Sequence, residues 1–527
     1  MAANRHYDVV IVGSGIASLV CAAELALKGR RVAVLEREHA AGGCMRTEEV
    51  TLPGFQHDVL SMSLPLFVTA AHYPLLGPAL EKHGLEIVYA KVPTAVATPD
   101  GRALLLTQSR SANVQAFDTL APGDGAAFER AMADIASNAG LIFGLLGQEP
   151  ASAAMLTLVG REMFRRRVAG MAQFGSSALQ PMRTWLEQEF RSDLAHALIA
   201  PWILHTGLSP ESALSSLMGK LILFTLEAVG NPIVKGGIAN LVSAFQSLIE
   251  ANGGAIFTNA DAARVIVEHG VARGVETADG AIYSARKGVV CNVTPTQLYG
   301  RLLSSKDVPV ETGEMARRYS YGRSGMQMHI ALSEPPRWKN DSLSDVALIH
   351  LTPGLNGVSR AVNEAERGLI PAEPTIVVGQ PAQIDPSRCP AGKSMLWIQL
   401  LELPRKIRGD AAGEIAAPAD GRWNESVRDA FARRVLARLG AYIDNLDTAT
   451  LAVTSLSPTD LEAWNVNLVG GDPYSGSSSI EQFHLFRPFG NGHNHATPVR
   501  RLFQIGASTH PGHGLSGMSG HMVAATL

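Results

Sequence analysis

Three separated stretches of the chain combine short apolar runs with helical periodicity, which is the pattern of a sheet of buried parallel strands. The first stretch opens with a continuous apolar run from Tyr7 to Val12, typical of a strand that is buried on both faces. A helical pattern follows from Ile16 to Lys28 and ends at Gly29, and a second apolar run occupies residues 32–35. These tight connections predict a β-α-β unit.

The other two stretches are predicted to continue the same domain. Gly236 and Gly237 open a helical pattern that ends at Gly253. The strand-like runs that follow it occupy residues 255–258, 263–267, 271–277 and 289–290. The last stretch begins near Leu502 and reaches residue 527, with another apolar run and another glycine-rich turn.

Two blocks of different character separate these stretches. Residues 76–229 are mainly helical by period, whereas residues 301–455 mix strand patterns with a long charged helix predicted for residues 423–441. We therefore predict the fold class α/β, with one Rossmann-type domain and a mixed α+β lobe inserted into it. The predicted domain is assembled from residues 1–75, 230–300 and 456–527, and the lobe from residues 76–229 and 301–455.

Composition narrows the setting of the protein. Hydrophobic residues make up 46% of the 527 residues and charged residues 18%, which is typical of a soluble globular protein. A net charge of -3 gives no reason to expect nucleic acid as a partner. The four cysteines are scattered, without a C-x-x-C pair, so we expect neither a disulfide framework nor a zinc site, and a reducing, cytoplasmic location.

A membrane-spanning helix is not expected. The longest uncharged stretch, residues 59–80, is interrupted by three prolines and a histidine. Peripheral contact with a membrane remains open, because apolar surface on the helical block could rest on lipid or bury a homodimer interface.

The first motif that carries chemistry is the turn after the first strand, Gly13-Ser14-Gly15-Ile16-Ala17-Ser18. Gly13 permits the tight turn, and Gly15 lets backbone N–H groups approach a pyrophosphate at the positive end of a helix. Glu36 ends the second strand, where an acid hydrogen-bonds the ribose. Strand, glycines, helix and acid together predict a dinucleotide site.

A second motif indicates which dinucleotide is bound. Directly after Glu36 come Arg37, the glycine pair Gly42-Gly43, and Arg46-Thr47. NAD does not require a second glycine pair here, whereas FAD does, since the chain passes close to its pyrophosphate. The arginines can neutralise phosphate. We therefore predict FAD, held non-covalently, because no cysteine lies beyond Cys389 to form a C-terminal thioether.

The third motif is the C-terminal run from Gln504 to Gly520, QIGASTHPGHGLSGMSG. It again joins a strand, a glycine-rich loop and a helix start, which would stabilise negative charge near the flavin. With these motifs the chain resembles the phytoene desaturase-like family of FAD-dependent oxidoreductases, within the flavin amine oxidase superfamily. The resemblance implies the glutathione-reductase/amine-oxidase type of FAD domain and extends over nearly the whole chain.

The resemblance also implies residue roles. Gly13, Gly15 and Ser18 would surround the pyrophosphate, and Glu36 the ribose. Arg37, Gly42, Gly43, Arg46 and Thr47 would line the FAD path, and the backbone of Ala262 would face the adenine. The residues expected near the phosphates and the ring are Gly506, Ala507, Ser516, Gly517, Met518 and Ser519. This chain departs from the family at His513, where a third glycine is usual, and at His521, where an arginine is common.

Hydride transfer to flavin N5 is the expected chemistry, and desaturation of a hydrophobic, isoprenoid- or carotenoid-like substrate is the leading hypothesis. His513 is the candidate base, with packing as its alternative role. Amine oxidation, redox-neutral isomerisation and a flavin-bearing binding protein remain open, and so do oxygen, a quinone and another protein as electron acceptors. His484, His493 and His495 fall in a Gly- and Asn-rich loop that we expect to be solvated, without a metal.

Overall fold

The computed structural model describes residues 5–490 and 494–527. His493 of the histidine-rich loop lies outside the described residues. One sheet, here called the nucleotide sheet, consists of Arg5–Val12, Val32–Leu35, Ala255–Phe257, Ala262–Glu268, Val271–Thr277, Ile282–Cys291 and Leu502–Gln504.

Residues from three distant parts of the chain build the parallel core of this sheet. Arg5–Val12 lies between Val32–Leu35 and Ile282–Cys291, with parallel pairing to both. Leu502–Gln504 extends the parallel core beyond Ile282–Cys291, and Ala255–Phe257 extends it beyond Val32–Leu35. The core strands are buried on both faces, which explains why their sequences are continuous apolar runs.

Helices cover the nucleotide sheet. Ile16–Leu27 packs against Ala239–Ala251 and Met518–Ala524, and their apolar side chains share one core with the strands. The predicted start at Gly236-Gly237 is two residues early, since these glycines have φ of +73° and +124° and the helix begins at Ala239. A Cβ on Gly237 would lie 2.4 Å from the side chain of Thr47, so this backbone must pass close to residue 47.

A second sheet, here called the lobe sheet, runs in the order Thr450–Leu456, Ser324–Leu332, Ser394–Leu403, Ile376–Gly379, Val346–Leu351, Val92–Ala97, Ala103–Leu106. Its last two strands come from the block that helical periodicity dominates, and the pairing of Val92–Ala97 with Val346–Leu351 is parallel. Short strand pairs are formed by Thr47–Glu48 with His57–Asp58, Ile87–Val88 with Ile233–Val234, and Leu369–Ile370 with Gly409–Asp410.

The remaining helices surround the two sheets. The α-helices are Pro65–Val68, Tyr73–Lys82, Arg110–Leu120, Asp124–Gly147, Ala153–Leu179, Met182–Glu189, Asp193–Ile199, Ser215–Val229, Pro295–Gln297, Val310–Arg318, Leu355–Glu366, Pro381–Ile384, Glu425–Leu439, Leu446–Ala449 and Pro458–Trp464. Short 3-10 helices include Ala200–Thr206 and His484–Phe486, and Leu298–Leu302 is a π-helix.

The structure locates the helices within two stretches that were discussed from the sequence. The charged helix predicted over residues 423–441 is Glu425–Leu439, because the Asn424 side chain accepts a hydrogen bond from the Val427 N–H and fixes the start. The uncharged stretch at residues 59–80 is divided between Pro65–Val68 and Tyr73–Lys82. Within residues 5–490 and 494–527, no helix has both the length and the apolar character required to cross a bilayer.

Candidate functional site

A cleft with a volume of about 300 Å³ opens at the carboxyl ends of the parallel strands of the nucleotide sheet. Its lining includes Val12 and Leu35, which end their strands, and Asn292 and Ile505, which directly follow theirs. Ligands of open α/β sheets bind at this edge, because the loops that leave the strands supply the contacts.

Three glycines of the cleft are packed around Asn292. A Cβ on Gly506 would lie 2.1 Å from Asn292 Oδ1, and one on Gly15 would lie 3.0 Å from Asn292 Nδ2. Gly13 has φ +83°, and a Cβ there would lie 3.1 Å from the Asn292 carbonyl oxygen. Larger residues at these positions would push the two glycine-rich loops off Asn292, so the glycines allow both loops to reach the cleft.

Glu36 holds the first of these loops. Its Oε2 accepts hydrogen bonds from the Ser14 N–H at 3.0 Å and from Ser14 Oγ at 2.5 Å, and its Oε1 accepts one from the Glu38 N–H at 3.0 Å. The carboxylate is almost fully buried yet lines the cleft. A buried acid at this edge can accept further hydrogen bonds from hydroxyl groups such as those of a ribose.

The glycine pair Gly42-Gly43 packs against the loop that contains Gly13 and Gly15. The Gly42 N–H donates to Ser14 Oγ at 2.8 Å. Gly42 has φ +121°, and a Cβ there would lie 2.6 Å from the Met45 carbonyl oxygen. Arg46 is buried beside it, contacts Glu48, and places its guanidinium 5.2 Å from the centre of the Trp464 ring.

The start of helix Ile16–Leu27 faces this cleft without a side-chain cap. Gly15 is the N-cap residue, and no side chain accepts a hydrogen bond from the first helical turn. The first N–H groups of a helix need an acceptor, and the helix dipole favours an anion there. The residues present therefore fit the pyrophosphate of a dinucleotide.

Most of the residues predicted from sequence line this cleft. They are Gly13, Gly15, Ile16, Ala17, Glu36, Arg37, Gly42, Gly43, Arg46, Ala262, Gly506, Ala507, His513, Ser516, Gly517 and Ser519. Arg37 is half-exposed and pairs with Glu38. The Ala262 carbonyl accepts a hydrogen bond from Arg301 at 2.9 Å.

Three predicted residues are placed elsewhere. Ser18 does not line the cleft, but its Oγ accepts a hydrogen bond at 3.0 Å from Nδ2 of Asn292, which does. Thr47 Oγ1 donates to Asp58 Oδ1 at 2.7 Å and accepts from the Ala239 N–H at 3.0 Å, so it joins segments rather than lining the cleft. Met518 lines a second cavity instead.

That second cavity has a volume of about 480 Å³ and mainly apolar walls. Helices Asp124–Gly147 and Ser215–Val229 supply one side, with residues such as Phe143, Leu221 and Leu226, and the lobe sheet supplies Leu348 and Trp397. The cavity meets the cleft at a set of shared residues, here called the junction: Ser61, His205, Gln399, His513, Gly514, Leu515 and Ser516.

His513 stands at this junction as a neutral imidazole. Its ring packs edge-on against Tyr474, with 5.0 Å between ring centres, and its Nδ1 is buried without a hydrogen-bond partner. Burial lowers the pKa of His513 well below its usual value, and the charge of Arg487 acts in the same direction. Nδ1 is therefore available to a molecule at the junction, and it accepts a hydrogen bond in the tautomer that is protonated at Nε2.

The structure brings His205 to the junction as well, although the sequence analysis did not single it out. Its Nε2 lies 3.0 Å from Nε2 of His350, a buried residue of the lobe sheet, and Trp202 packs against both rings. Burial lowers the pKa of His205 to about 4. No motif surrounds residues 205 or 399, so no sequence signal identified them.

Arg487 fixes the loop that carries the C-terminal glycines. The guanidinium is fully buried and donates to the carbonyl oxygens of Tyr474, Gly476, Ser477, Gln482 and Ala507. It therefore ties residues 474–482 to the loop after Leu502–Gln504 and places a fixed positive charge beside the junction.

Part of the histidine-rich loop is buried, contrary to the expectation of a solvated loop. Asn494 and His495 have almost no exposed surface. His495 Nδ1 contacts the carboxylate of Glu149, and its Nε2 donates to the His510 carbonyl oxygen at 3.0 Å. Glu149 lies 346 positions away in sequence, so the sequence did not reveal this partner. In the described part of the chain, no cluster of three or more His, Cys, Asp or Glu residues could hold a metal ion.

The fold and the cleft together define a dinucleotide-binding protein of the Rossmann type. The chain belongs to the flavin containing amine oxidoreductase family, which it matches over residues 16–524. The protein is therefore an FAD-dependent flavoenzyme, and the cleft described above fits that cofactor.

Individual relatives align along the full chain. Pyridine nucleotide-disulfide oxidoreductase domain-containing protein 2 of Mus musculus is 26% identical, over 98% of this chain and 93% of its own. A limonene dehydrogenase component of Castellaniella defragrans is 25% identical, over 100% of this chain and 95% of its own. The zeta-carotene-forming phytoene desaturase of Myxococcus xanthus is 25% identical, over 98% and 92%.

Solved structures agree on the fold. Cyclohexylamine oxidase from Brevibacterium oxydans superposes with a TM-score of 0.58 at 16% identity, over 99% of this chain and 98% of its own. This comparison confirms the predicted Rossmann-type FAD fold. At 16% identity it is evidence for the fold alone.

Proposed function

We propose that the protein desaturates a hydrophobic, isoprenoid-like substrate, removing a hydride and a proton from adjacent carbons to form a carbon–carbon double bond. The observation that carries this proposal is the apolar cavity that meets the cofactor cleft at the junction. When bound, FAD supplies the hydride acceptor, its N5 atom. The electrons then leave to oxygen or to a quinone, which balances the reaction.

The chemistry of the cavity wall favours a hydrocarbon over an amine. Among the described residues that line the cavity, none is Asp, Glu, Lys or Arg. A cationic amine would lose its hydration there without gaining a carboxylate as a partner. Burial of such an unpaired charge costs on the order of several kcal/mol. An apolar molecule gains about 25 cal/mol for each Å² that it buries. The cavity therefore suits an uncharged, apolar substrate.

The junction supplies positions for the polar part of the reaction. His513 Nδ1 is unpaired and the ring is neutral, so in the tautomer protonated at Nε2 this nitrogen can accept the proton that the second carbon releases. The surrounding apolar side chains exclude water from the reacting carbons, which limits competing proton exchange. The limonene dehydrogenase component and the phytoene desaturase, both relatives of this chain, are named for hydrocarbon substrates, which supports the same substrate class.

The decisive experiment is anaerobic reduction of the FAD-loaded protein, followed through the flavin absorbance. We expect bleaching by linear or cyclic terpenoid hydrocarbons and none by alkylamines. Mass spectrometry of the product should show the loss of H₂. Bleaching by amines would assign amine oxidation instead, and an isomer of unchanged mass would assign a redox-neutral isomerase. Turnover in the presence of oxygen and then of a soluble quinone identifies the electron acceptor.

A further inference from the structure

The segment Ala153–Leu179 is helical on both sides of a break at Arg167, which has φ 60° and ψ 175°. Before the break it has apolar side chains on two faces, and the protein covers one of them. Met155 and Leu158 pack with Leu141 of the neighbouring helix Asp124–Gly147. On the other face, Leu156 is 73% exposed and Phe164 is 90% exposed, and directly after the break Val168 is 75% exposed. A soluble helix normally turns one apolar stripe to the core and a polar face to water. The second stripe therefore lacks a partner within the described chain.

Basic side chains border this stripe. The helix carries four arginines and one glutamate, and Arg161, Arg165 and Arg167 are exposed. Glu162 is buried and contacts Arg165 and Arg166, and it is the one carboxylate of this segment, so the four arginines leave a net positive charge. Two carboxylates of the neighbouring segment are engaged elsewhere, Asp134 with Lys220 at 3.6 Å and Glu149 with His495. The face is thus apolar at its centre and positive at its border.

Helix Asp124–Gly147, against which Ala153–Leu179 packs, also borders the apolar cavity. Phe143, Leu146 and Gly147, at the end of helix Asp124–Gly147, line the cavity wall. Phe143 is 44% exposed, so its ring belongs both to the cavity wall and to the outer surface. Leu66 also lines the cavity and is 45% exposed. The cavity thus opens to the outside between apolar residues, at the end of helix Asp124–Gly147.

We propose that the segment Ala153–Leu179 docks on an anionic lipid surface through Leu156, Met163 and Phe164 before the break and Val168 after it, with the exposed arginines against the headgroups. An exposed apolar stripe with arginines at its border is the pattern of a helix that lies in a membrane interface. The docked face places the cavity opening beside the bilayer. The delivery of an apolar substrate from the bilayer into the cavity rests on the proposed function, whereas the docking surface rests only on these exposed side chains.

The test is flotation of the FAD-loaded, full-length protein with vesicles of neutral phosphatidylcholine or of phosphatidylcholine mixed with anionic phosphatidylglycerol. The parent protein should float with the anionic vesicles. Arg161→Gln/Arg165→Gln should lower the anionic partition coefficient roughly tenfold or more, since each arginine near an anionic surface contributes about a fivefold change. Phe164→Ser/Val168→Ser should lower it at least about tenfold through lost apolar burial.

Matched controls come from helix Val310–Arg318. Val310 is 79% exposed and Arg317 and Arg318 are exposed, so Val310→Ser and Arg317→Gln/Arg318→Gln change similar groups elsewhere. They should bind vesicles as the parent does. The flavin spectrum and thermal unfolding of each variant verify that it is folded.

Three outcomes would overturn the proposal. The first is a parent protein that stays in the buffer with anionic vesicles. The second is vesicle binding that is equally strong with neutral and anionic lipid and is unchanged by the arginine substitutions. The third is a parent protein that is a dimer and does not bind vesicles, and that becomes a monomer on substitution Phe164→Ser/Val168→Ser. This result would assign the face to a second copy of the chain. None of these readouts depends on turnover, so they do not test the proposed reaction.

Discussion

His205 and His350 face each other through their Nε2 atoms at 3.0 Å, although 145 positions separate them in sequence. At this distance one nitrogen donates a hydrogen bond and the other accepts it, so at least one ring must be neutral. Burial lowers the pKa of both rings, and the charge of a protonated His205 would lower the pKa of His350 further. The pair joins the junction to the lobe sheet.

This histidine pair predicts that the free energy of unfolding decreases as the pH is lowered below about 6.5. The unfolded chain takes up a proton at His205 near pH 6.5, whereas the folded protein does so near pH 4. Stability is therefore complete above about pH 6.5 and decreases as the pH falls towards 4. Replacement of His205 by Gln should reduce the slope of the unfolding free energy in this window by up to about 1.4 kcal/mol per pH unit.

Urea denaturation at a series of pH values measures this slope. His6→Gln serves as the control, because His6 is exposed and should leave the slope unchanged. Equal slopes for the parent protein and His205→Gln would show that His205 is not held neutral.

His513 should affect the chemical step rather than cofactor retention. If its Nδ1 accepts the substrate proton, His513→Gln should lower the anaerobic rate of flavin reduction about 10²–10⁴-fold, with FAD content unchanged. Because its pKa lies well below the usual value, the parent rate should not change across the range in which an ordinary histidine titrates, near pH 6.5. Stopped-flow absorbance measures both. An unaltered rate in the variant would assign His513 to packing.

Gly506 should be essential for FAD retention. The residue has φ +102°, and a Cβ would lie 2.1 Å from Asn292 Oδ1, so Gly506→Ala must displace the loop or Asn292. We expect FAD affinity to fall at least about tenfold, which is about 1.4 kcal/mol. The ratio of flavin to protein absorbance after desalting measures the loss.

A matched glycine shows whether this effect is specific. Gly300 has open space around its Cβ position and no positive φ, so Gly300→Ala should retain FAD. Adding Asn292→Ala to Gly506→Ala removes the clashing oxygen and should restore part of the affinity. Full FAD retention by Gly506→Ala alone would contradict the proposed packing of the two loops.

The buried ion pair between Arg388 and Asp58 should be important for stability. Its N–O distance is 2.6 Å and both side chains are almost fully buried, and Asp58 also accepts from the Ile238 N–H. Arg388→Met leaves the carboxylate without its counter-charge, which should cost about 3–5 kcal/mol. Chemical denaturation measures the change.

The exposed pair of Lys91 and Asp345 provides the comparison. Its N–O distance is 2.8 Å and its side chains are 80% and 58% exposed. Lys91→Met should change the unfolding free energy by about 0–1 kcal/mol, because water screens an exposed pair. Similar losses for both variants would mean that Arg388 does not stabilise the fold through its charge.

Local features of the sequence were sufficient to predict the dinucleotide-binding segments. The strand Val32–Leu35 and the strand Val271–Thr277 have the predicted bounds, because a buried strand requires a continuous or alternating apolar run. The positive φ angles at Gly13, Gly42 and Gly506 are also local properties, which explains why the glycine motifs could be identified.

Tertiary structure decided the rest. Val92–Ala97 and Ala103–Leu106 form strands inside a block whose period predicts helices, since pairing with Val346–Leu351 outweighs local preference. Asn292, His205 and Glu149 acquire their partners from segments that are distant in sequence. Apolar periodicity determines which face of an element is buried, but it does not determine which element covers that face. The glycine-rich loops of the cleft were therefore predictable from the sequence, whereas the apolar cavity and its junction with the cleft arise from how the inserted lobe packs.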